Sequence, residues 1–272
     1  MNFEPHASIG SEISPFDEYA LKKVLDLFQQ RNLTILEIGS WVGLGSTKIF
    51  ADYAKTLICV DLWQGTTGEE HHAAVKKVID PYLLFLQNTN KLPVKIISMR
   101  GLSVDTLPYL SKEMFDVIFI DADHSYKAVV KDISLAIPLL KKNGILLGHD
   151  CEANFKNLDA NLSRYVNATL NSQDSLCEEV AILIGDKLPE FNKIAPHQYP
   201  FLTPLVKFKH LHQGVIKAVS DLNLSKTYFA DKRLEISETQ KGFSTIWVAT
   251  KHSLNNQNKI FEKINNFIYN NN

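Results

Sequence analysis

The run Leu33-Thr-Ile-Leu-Glu-Ile-Gly39-Ser-Trp-Val-Gly43-Leu-Gly-Ser-Thr47 limits the fold of this chain more than any other stretch. Its opening is apolar and rich in Ile and Leu, the pattern of a strand buried on both faces. The strand stops at Gly39, and a turn carrying Gly43 and Gly45 leads to Ser46-Thr-Lys-Ile-Phe50, where a helix can begin. Glycine lets backbone approach a ligand closely, and the first turn of a helix offers N–H groups without internal partners. Strand, glycine turn and helix in this order make a nucleotide cradle and predict an α/β protein.

The cradle is not of the dinucleotide kind. That pattern needs Gly at its first, third and sixth places, and counting from Gly39 these fall on Trp41 and Leu44. A nicotinamide dehydrogenase is thereby disfavoured. The distinctive residue is Glu37, a carboxylate at the end of an apolar strand, placed either to face a cationic ligand or to meet solvent. Thr56-Leu-Ile-Cys-Val60 reads as a second buried strand ending in Asp61, 22 residues beyond Gly39. In doubly wound sheets an acid here accepts hydrogen bonds from the ribose of an adenosine-containing cofactor; capping a turn is its other use.

Further strands follow at Val94–Ser98, Phe115–Ile120 and Gly144–Gly148. The first leads into a polar turn with Gly101 and Ser103, suited either to border an adenine ring or simply to turn the chain. The second runs into Asp121-Ala-Asp123-His124-Ser125, and the third ends in His149-Asp150. Ligands of open α/β sheets bind beyond the carboxyl ends of the strands. Glu37, Asp61, Asp121 with Asp123 and His124, and His149 with Asp150 therefore each end a different strand. Acids so placed, with nearly uncharged strands between them, mark a lined site.

Between these strands the pattern is helical. Phe16, Ala20, Leu21, Val24 and Phe28 share one face of a leading helix begun by Pro15. Glu69 to Leu86 reads as a helix kinked or split at Pro81. Its His71 and His72 project about 100° apart, too far to share a metal easily, and are expected to be exposed. Ser125 to Leu140 reads as a helix burying Val129, Ile133, Ala136, Ile137 and Leu140, stopped by Lys141-Lys-Asn-Gly144. From Glu152 to His210 the alternation fades, while Pro189, Pro196, Pro200 and Pro204 mix with Phe191, Tyr199, Phe201 and Phe208. Loops of that length are usually functional or disordered; the aromatics favour a lid or substrate-shaping insertion. Gln213–Leu222 reads as a helix, Leu234–Ile236 and Phe243–Ala249 as closing strands paired through Gln240-Lys-Gly242, and Lys259–Ile268 as a terminal helix. With no repeat or linker, one domain is expected over 1–272: a leading helix region (1–30), a cofactor core (31–151), the insertion (152–210), closing elements (211–250) and a terminal helix and tail (254–272).

Composition excludes several classes. At 272 residues and 45% hydrophobic, the chain can bury a large core, and its net charge of -1 gives no reason to expect nucleic acid or an anionic membrane. Cys59, Cys151 and Cys177 are odd in number and lack a C-x-x-C pair, as in a reducing compartment. No apolar run of about 18 residues occurs, and Met1-Asn-Phe-Glu-Pro-His6 has no signal character. A soluble, cytoplasmic protein is expected.

Glu37-Ile-Gly-Ser40, Asp61-Leu-Trp63, Phe119-Ile-Asp-Ala-Asp-His-Ser-Tyr126 and Gly148-His-Asp150 together resemble class I S-adenosylmethionine-dependent methyltransferases. Within these, they resemble the small-molecule O-methyltransferases that include macrolide-sugar and aminocoumarin-sugar enzymes. The likeness covers about residues 30–151 and, more weakly, 210–250; it departs at Trp41, often Gly, and at His149, more often Asp in metal-dependent relatives. It implies a Rossmann-like, doubly wound, mostly parallel seven-stranded sheet with a lid after the fifth strand. It implies S-adenosyl-L-methionine held by Glu37, Gly39, Ser40, Gly43, Ser46, Asp61, Leu62, Ser103 and Asp121. It further implies a divalent metal on Asp121, His149 and Asp150, with Mg²⁺ expected first and Mn²⁺ or Fe²⁺ also accepted by such donors. Asp123 or His124 is the implied general base, Asp123 slightly preferred, acting on a hydroxyl of a small-molecule acceptor such as a sugar or glycosylated natural product. A homo-oligomer is left open. The alternatives are a metal-dependent hydroxylase on the same fold, since two carboxylates and a His resemble a non-haem iron set, and a non-catalytic cofactor-binding protein.

Overall fold

The computed structural model describes residues 13–65, 70–158, 160–170, 175–176, 210–251 and 258–269. Its strands are β1 (Leu33–Ile38), β2 (Ala54–Asp61), β3 (Lys95–Arg100), β4 (Phe115–Ile120), β5 (Leu140–Gly148), β6 (Ser175–Leu176), β7 (His210–Leu211), β8 (Ser225–Tyr228), β9 (Leu234–Glu235), β10 (Lys241–Gly242) and β11 (Trp247–Thr250). Seven of them form one sheet in the order β3-β2-β1-β4-β5-β11-β8. β1 to β5 run parallel, and β11 lies antiparallel to both of its neighbours.

Helices cover both faces: α1 (Pro15–Asp26), α2 (Ser46–Ala51), α3 (Glu70–Val78), α4 (Pro81–Thr89), α5 (Ser103–Thr106), α6 (Tyr126–Ala136), α7 (Ala160–Thr169), α8 (Gln213–Asp221) and α9 (Lys259–Tyr269). Side chains alternate along a strand. Leu36, Ile38, Ile58, Val60, Ile118, Ile120 and Leu146 therefore pack on one face with Val129 and Ile133 of α6 and Val215, Ile216 and Val219 of α8. Ile35, Leu57, Cys59, Val117, Phe119, Ile145 and Leu147 pack on the other with Ala20, Leu21 and Val24 of α1, Phe50 of α2, and Ile264 and Ile268 of α9. Two covered faces account for the uniformly apolar strands, and the architecture is the expected doubly wound, mostly parallel α/β sheet.

Several local readings need correction. The helix expected to reach Leu140 ends at Ala136, and β5 already begins at Leu140. Pro138 has no N–H to continue the ladder and its ring crowds the preceding turn, so Ile137–Leu139 tightens to a 3-10 turn. The helix expected over 69–86 is divided, as Pro81 suggested: Asp80 caps α4 by accepting the Tyr82 and Leu83 N–H groups at 2.8 and 3.3 Å. Leu234–Glu235 does not join the main sheet; it pairs with Lys241–Gly242 in a two-residue hairpin. The sheet closes instead through β11 and the edge strand β8, whose Ser-Lys-Thr-Tyr sequence carries little apolar signal. Of the expected insertion, the structure describes 152–158, α7 and the small β6–β7 pair; the prolines and aromatics of 177–209 lie outside the described residues.

Two buried acids tie the scaffold together. Glu37, fully buried on β1, accepts the Ser46 and Thr47 hydroxyls at 2.6 and 2.7 Å and so fastens the start of α2 behind the glycine turn. Burial pushes its carboxyl up to about 7, against the opposing pull of those hydroxyls. Asp17, on the buried face of α1, accepts the Ser244 hydroxyl and the Thr245 N–H at 2.7 Å each, linking the first helix to the segment before β11.

Each anchor gives an expected outcome. Glu37 titrates higher folded than unfolded, so its contribution is fully present below about pH 4.5 and lost as pH rises through about 7, a change of about 3 kcal/mol. Denaturant titrations of wild type and Glu37→Gln should show their stability difference moving by that amount across this window; a pH-independent difference would mean that Glu37 keeps an ordinary acidity. Asp17→Ala, which strands buried donors, is expected to remove about 3–5 kcal/mol of stability. A loss within the ordinary range of surface substitutions would show that the network does not hold the two segments.

Candidate functional site

Strand order reverses between β1 and β4, the place where a doubly wound sheet opens a crevice. There Gly39, at φ +89°, sits so close to the Asp121 backbone that an added Cβ would lie 1.7 Å from its carbonyl oxygen. A cavity of about 580 Å³ opens beyond the strand ends, within the range of small-molecule and cofactor pockets. Gly39, Ser40, Gly43, Ser46, Asp61, Leu62, Ser103 and Asp121 all line it, as do Asp123 and His124. Glu37 does not; it supports the turn from beneath.

Asp61 Oδ2 accepts the Ser40 and Trp41 N–H groups at 2.9 and 2.8 Å, and Oδ1 accepts the Trp63 N–H at 2.6 Å. The carboxylate thus shapes the turn, and of its roughly four lone-pair directions about one remains for a further donor. Trp41 is held at φ +42°, a conformation unusual for a bulky side chain, and its ring lies 4.1 Å from that of His72. His72 is buried at 6% exposure, so the expectation of an exposed histidine pair fails at this residue. The cavity wall absorbs it.

The second half of the site is a cluster of charges at the ends of β4 and β5. His149 Nδ1 lies 3.1 Å from Asp150 Oδ1 and 3.5 Å from Asp121 Oδ1. Its Nε2 lies 3.3 Å from Asp17 Oδ2, near enough for charge attraction though not aligned as a hydrogen bond. His124 Nε2 is 3.1 Å from Asp150 Oδ2. Burial would depress the imidazole of His149, yet Asp150, Asp121 and Asp17 raise it well above its ordinary value. Burial likewise would raise the Asp150 carboxyl, and His149 and His212 hold it well below the usual range. Asp150 itself sits at φ +58°, kept there by its N–H on Thr245 Oγ1 at 3.2 Å and by the Cys151 N–H on the Thr245 carbonyl at 3.0 Å.

Asp121, His149 and Asp150 can each offer a donor atom within 4.8 Å of the others. An ion with bonds of about 2.1 Å sets neighbouring donors about 3 Å apart, so spacings of 3.1 and 3.5 Å fit a divalent metal. Two carboxylates and an imidazole are donors that Mn²⁺ and Fe²⁺ accept as well as Mg²⁺. Asp123 is exposed at the cavity rim, and its Oδ1 accepts the Ser125 N–H at 2.7 Å.

The sequence reading missed four participants. Asp17 and Asp132 lie on the buried faces of α1 and α6, where an acid among apolar neighbours is itself a signal. Asp132 accepts the Ser103 hydroxyl beside the cavity, and burial pushes its carboxyl up to about 6. His212 and Glu152 carried no local signal. They meet where α8 closes against the turn after β4, so tightly that a Cβ at Gly214 would lie 2.2 Å from the His124 carbonyl oxygen.

Residues 36–151 match the family model described as a methyltransferase domain. No curated protein matches the chain by sequence. Among solved structures, a Corynebacterium glutamicum protein is 13% identical with a TM-score of 0.48, covering 90% of this chain and 86% of that one. The O-methyltransferase TomG of Streptomyces achromogenes, involved in tomaymycin synthesis and solved with SAM, is 14% identical with a TM-score of 0.45, covering 88% and 81%. An O-methyltransferase of Bacillus cereus in complex with SAH is 17% identical with a TM-score of 0.42, covering 89% and 83%. The matched segment runs from β1 to the turn after β5 and carries both the cradle and the strand-end acids, so over these residues the chain is similar to a methyltransferase domain.

Proposed function

We propose that this chain moves the methyl group of S-adenosylmethionine to a hydroxyl of a small molecule, a sugar or glycosylated natural product, with a divalent ion assisting at Asp121, His149 and Asp150. The observation that carries the reading is the double position of Asp121. It lines the cofactor cavity and also belongs to the metal-competent group, so methyl donor and acceptor oxygen would meet at one residue.

Bound in the cavity, S-adenosylmethionine supplies a methyl already activated by its sulfonium, and a divalent ion supplies Lewis-acid polarisation that lowers the pKa of an alcohol. The chain's own residues have the remaining work. The glycine turn, held by Asp61 through two N–H groups, fixes the cofactor's approach, since positioning is most of what methyl transfer requires. Asp123 takes the acceptor proton: it lines the cavity from an exposed position, and its bond to the Ser125 N–H occupies Oδ1 and leaves Oδ2 for the proton. His124 is turned towards Asp150 instead. Trp41 and His72 wall the cofactor side.

Incubating the protein with isotope-labelled S-adenosylmethionine and a panel of hydroxyl acceptors should give a product heavier by one methylene. A product heavier by one oxygen, formed only with iron, dioxygen and 2-oxoglutarate, would replace this reading with the hydroxylase one. Asp123→Asn should lower kcat by about 10²–10⁴-fold while leaving S-adenosylhomocysteine affinity in place; a variant as fast as wild type would remove Asp123 as the base. Asp61→Ala should weaken S-adenosylhomocysteine binding by about 1.5–3 kcal/mol in calorimetric titration, and unaltered affinity would mean that neither turn nor ribose depends on it.

A further inference from the structure

We propose that His124, Asp150 and His212 form a second divalent-metal site, one that takes a borderline transition ion, beside the group formed by Asp121, His149 and Asp150. The three residues come from the turn after β4, the turn after β5 and the start of α8, and each offers a donor atom within 4.8 Å of the others. His124 and His212 stack edge to face with ring centroids 4.4 Å apart. Asp150 lies between the two groups: Oδ2 is nearest His124, and Oδ1 lies 3.1 Å from His149 Nδ1 and 3.6 Å from His212 Nδ1. A shared carboxylate of this kind bridges the ions of two-metal sites, which sit about 3.5–4 Å apart.

A separate observation points to a ligand role for His212. Buried Glu152 grips it twice, with Oε1 2.6 Å from Nδ1 and Oε2 accepting the His212 N–H at 3.1 Å. A carboxylate on Nδ1 fixes the tautomer and leaves Nε2 as the nitrogen available to a metal, the arrangement that metal-bound histidines use. Charge agrees. Asp17, Asp121, Asp150 and Glu152 bring four carboxylates to this cluster, a charge that two divalent ions with neutral imidazoles would balance. Two imidazoles and one carboxylate favour Zn²⁺, Mn²⁺, Fe²⁺ or Co²⁺ over Mg²⁺.

The inference leans on the proposed function only through Asp150, and the test separates the two. Chelator-stripped full-length protein is titrated with Co²⁺, its visible absorption is followed, and bound metal is counted by mass spectrometry. Two Co²⁺ per chain are expected, falling to one in excess Mg²⁺ or in His212→Gln. Glu152→Gln, which leaves the ligands themselves in place, should weaken the second ion about 10–100-fold. One Co²⁺ per chain, retained in both His212→Gln and Glu152→Gln, would overturn the second site. One Co²⁺ that is lost in His212→Gln but kept in Asp121→Asn would uphold the histidine-rich site and overturn the metal role assigned to Asp121.

Discussion

The contact of Gly39 with the backbone of Asp121 is the constraint on which the rest of this site depends. No side chain fits between them, because a Cβ would fall 1.7 Å from a carbonyl oxygen. The approach is fixed on both sides by backbone hydrogen bonds: the Asp121 N–H to the Ile38 carbonyl at 2.8 Å, and the Gly39 N–H to the Val60 carbonyl at 2.9 Å. Three strand ends are thereby drawn together at the place where the sheet reverses its order. The cofactor turn leaves on one side of that junction and the donor cluster on the other. Widening it by one methyl group would separate the two halves.

The donor half stores what the cofactor half does not need. Asp150 adopts a left-handed conformation that costs a β-carbon residue on the order of 1–3 kcal/mol, and it is surrounded by charges whose burial is unfavourable unless they are paired. Such an arrangement persists only where neighbours over-determine it. Here the neighbours are Thr245, which holds the Asp150 turn, and Asp17, which holds Thr245 and faces His149. The strain therefore rests on α1 and on the segment before β11, far from the strand ends in sequence.

This division explains what could be read from the chain alone. Buried parallel strands are nearly uncharged, so an acid at the end of one stands out, and Asp61, Asp121, Asp123, His149 and Asp150 were visible for that reason. The cofactor cavity follows from residues within one contiguous stretch. Helix ends were less legible: Ile137 and Leu140 continue the apolar period past Pro138, and here the missing N–H outweighs the pattern. β8 escaped notice because an edge strand paired on one side needs few apolar residues. His72 reads as an exposed polar residue until Trp41 turns onto it. His212 and Glu152 lie 60 residues apart, and the packing of α8 on the sheet face and against the turn after β4 brings them together, a tertiary event with no periodic trace.

The two halves therefore differ in how they depend on the completed fold. The cavity is lined mainly by residues from Ile38 to Asp132, brought together by neighbouring parallel strands. The donor cluster needs Asp17 from the first helix, His212 from the start of α8 and Thr245 from before β11, and closing such long loops costs chain entropy that only the assembled core offsets. A fold of this kind can shape a cofactor pocket before its chemistry is complete. Asp121 finds His124 and His149 at the ends of β4 and β5, whereas Asp150 also faces His212 from the start of α8. The strand-end acids are thus desolvated and paired together only in the finished structure.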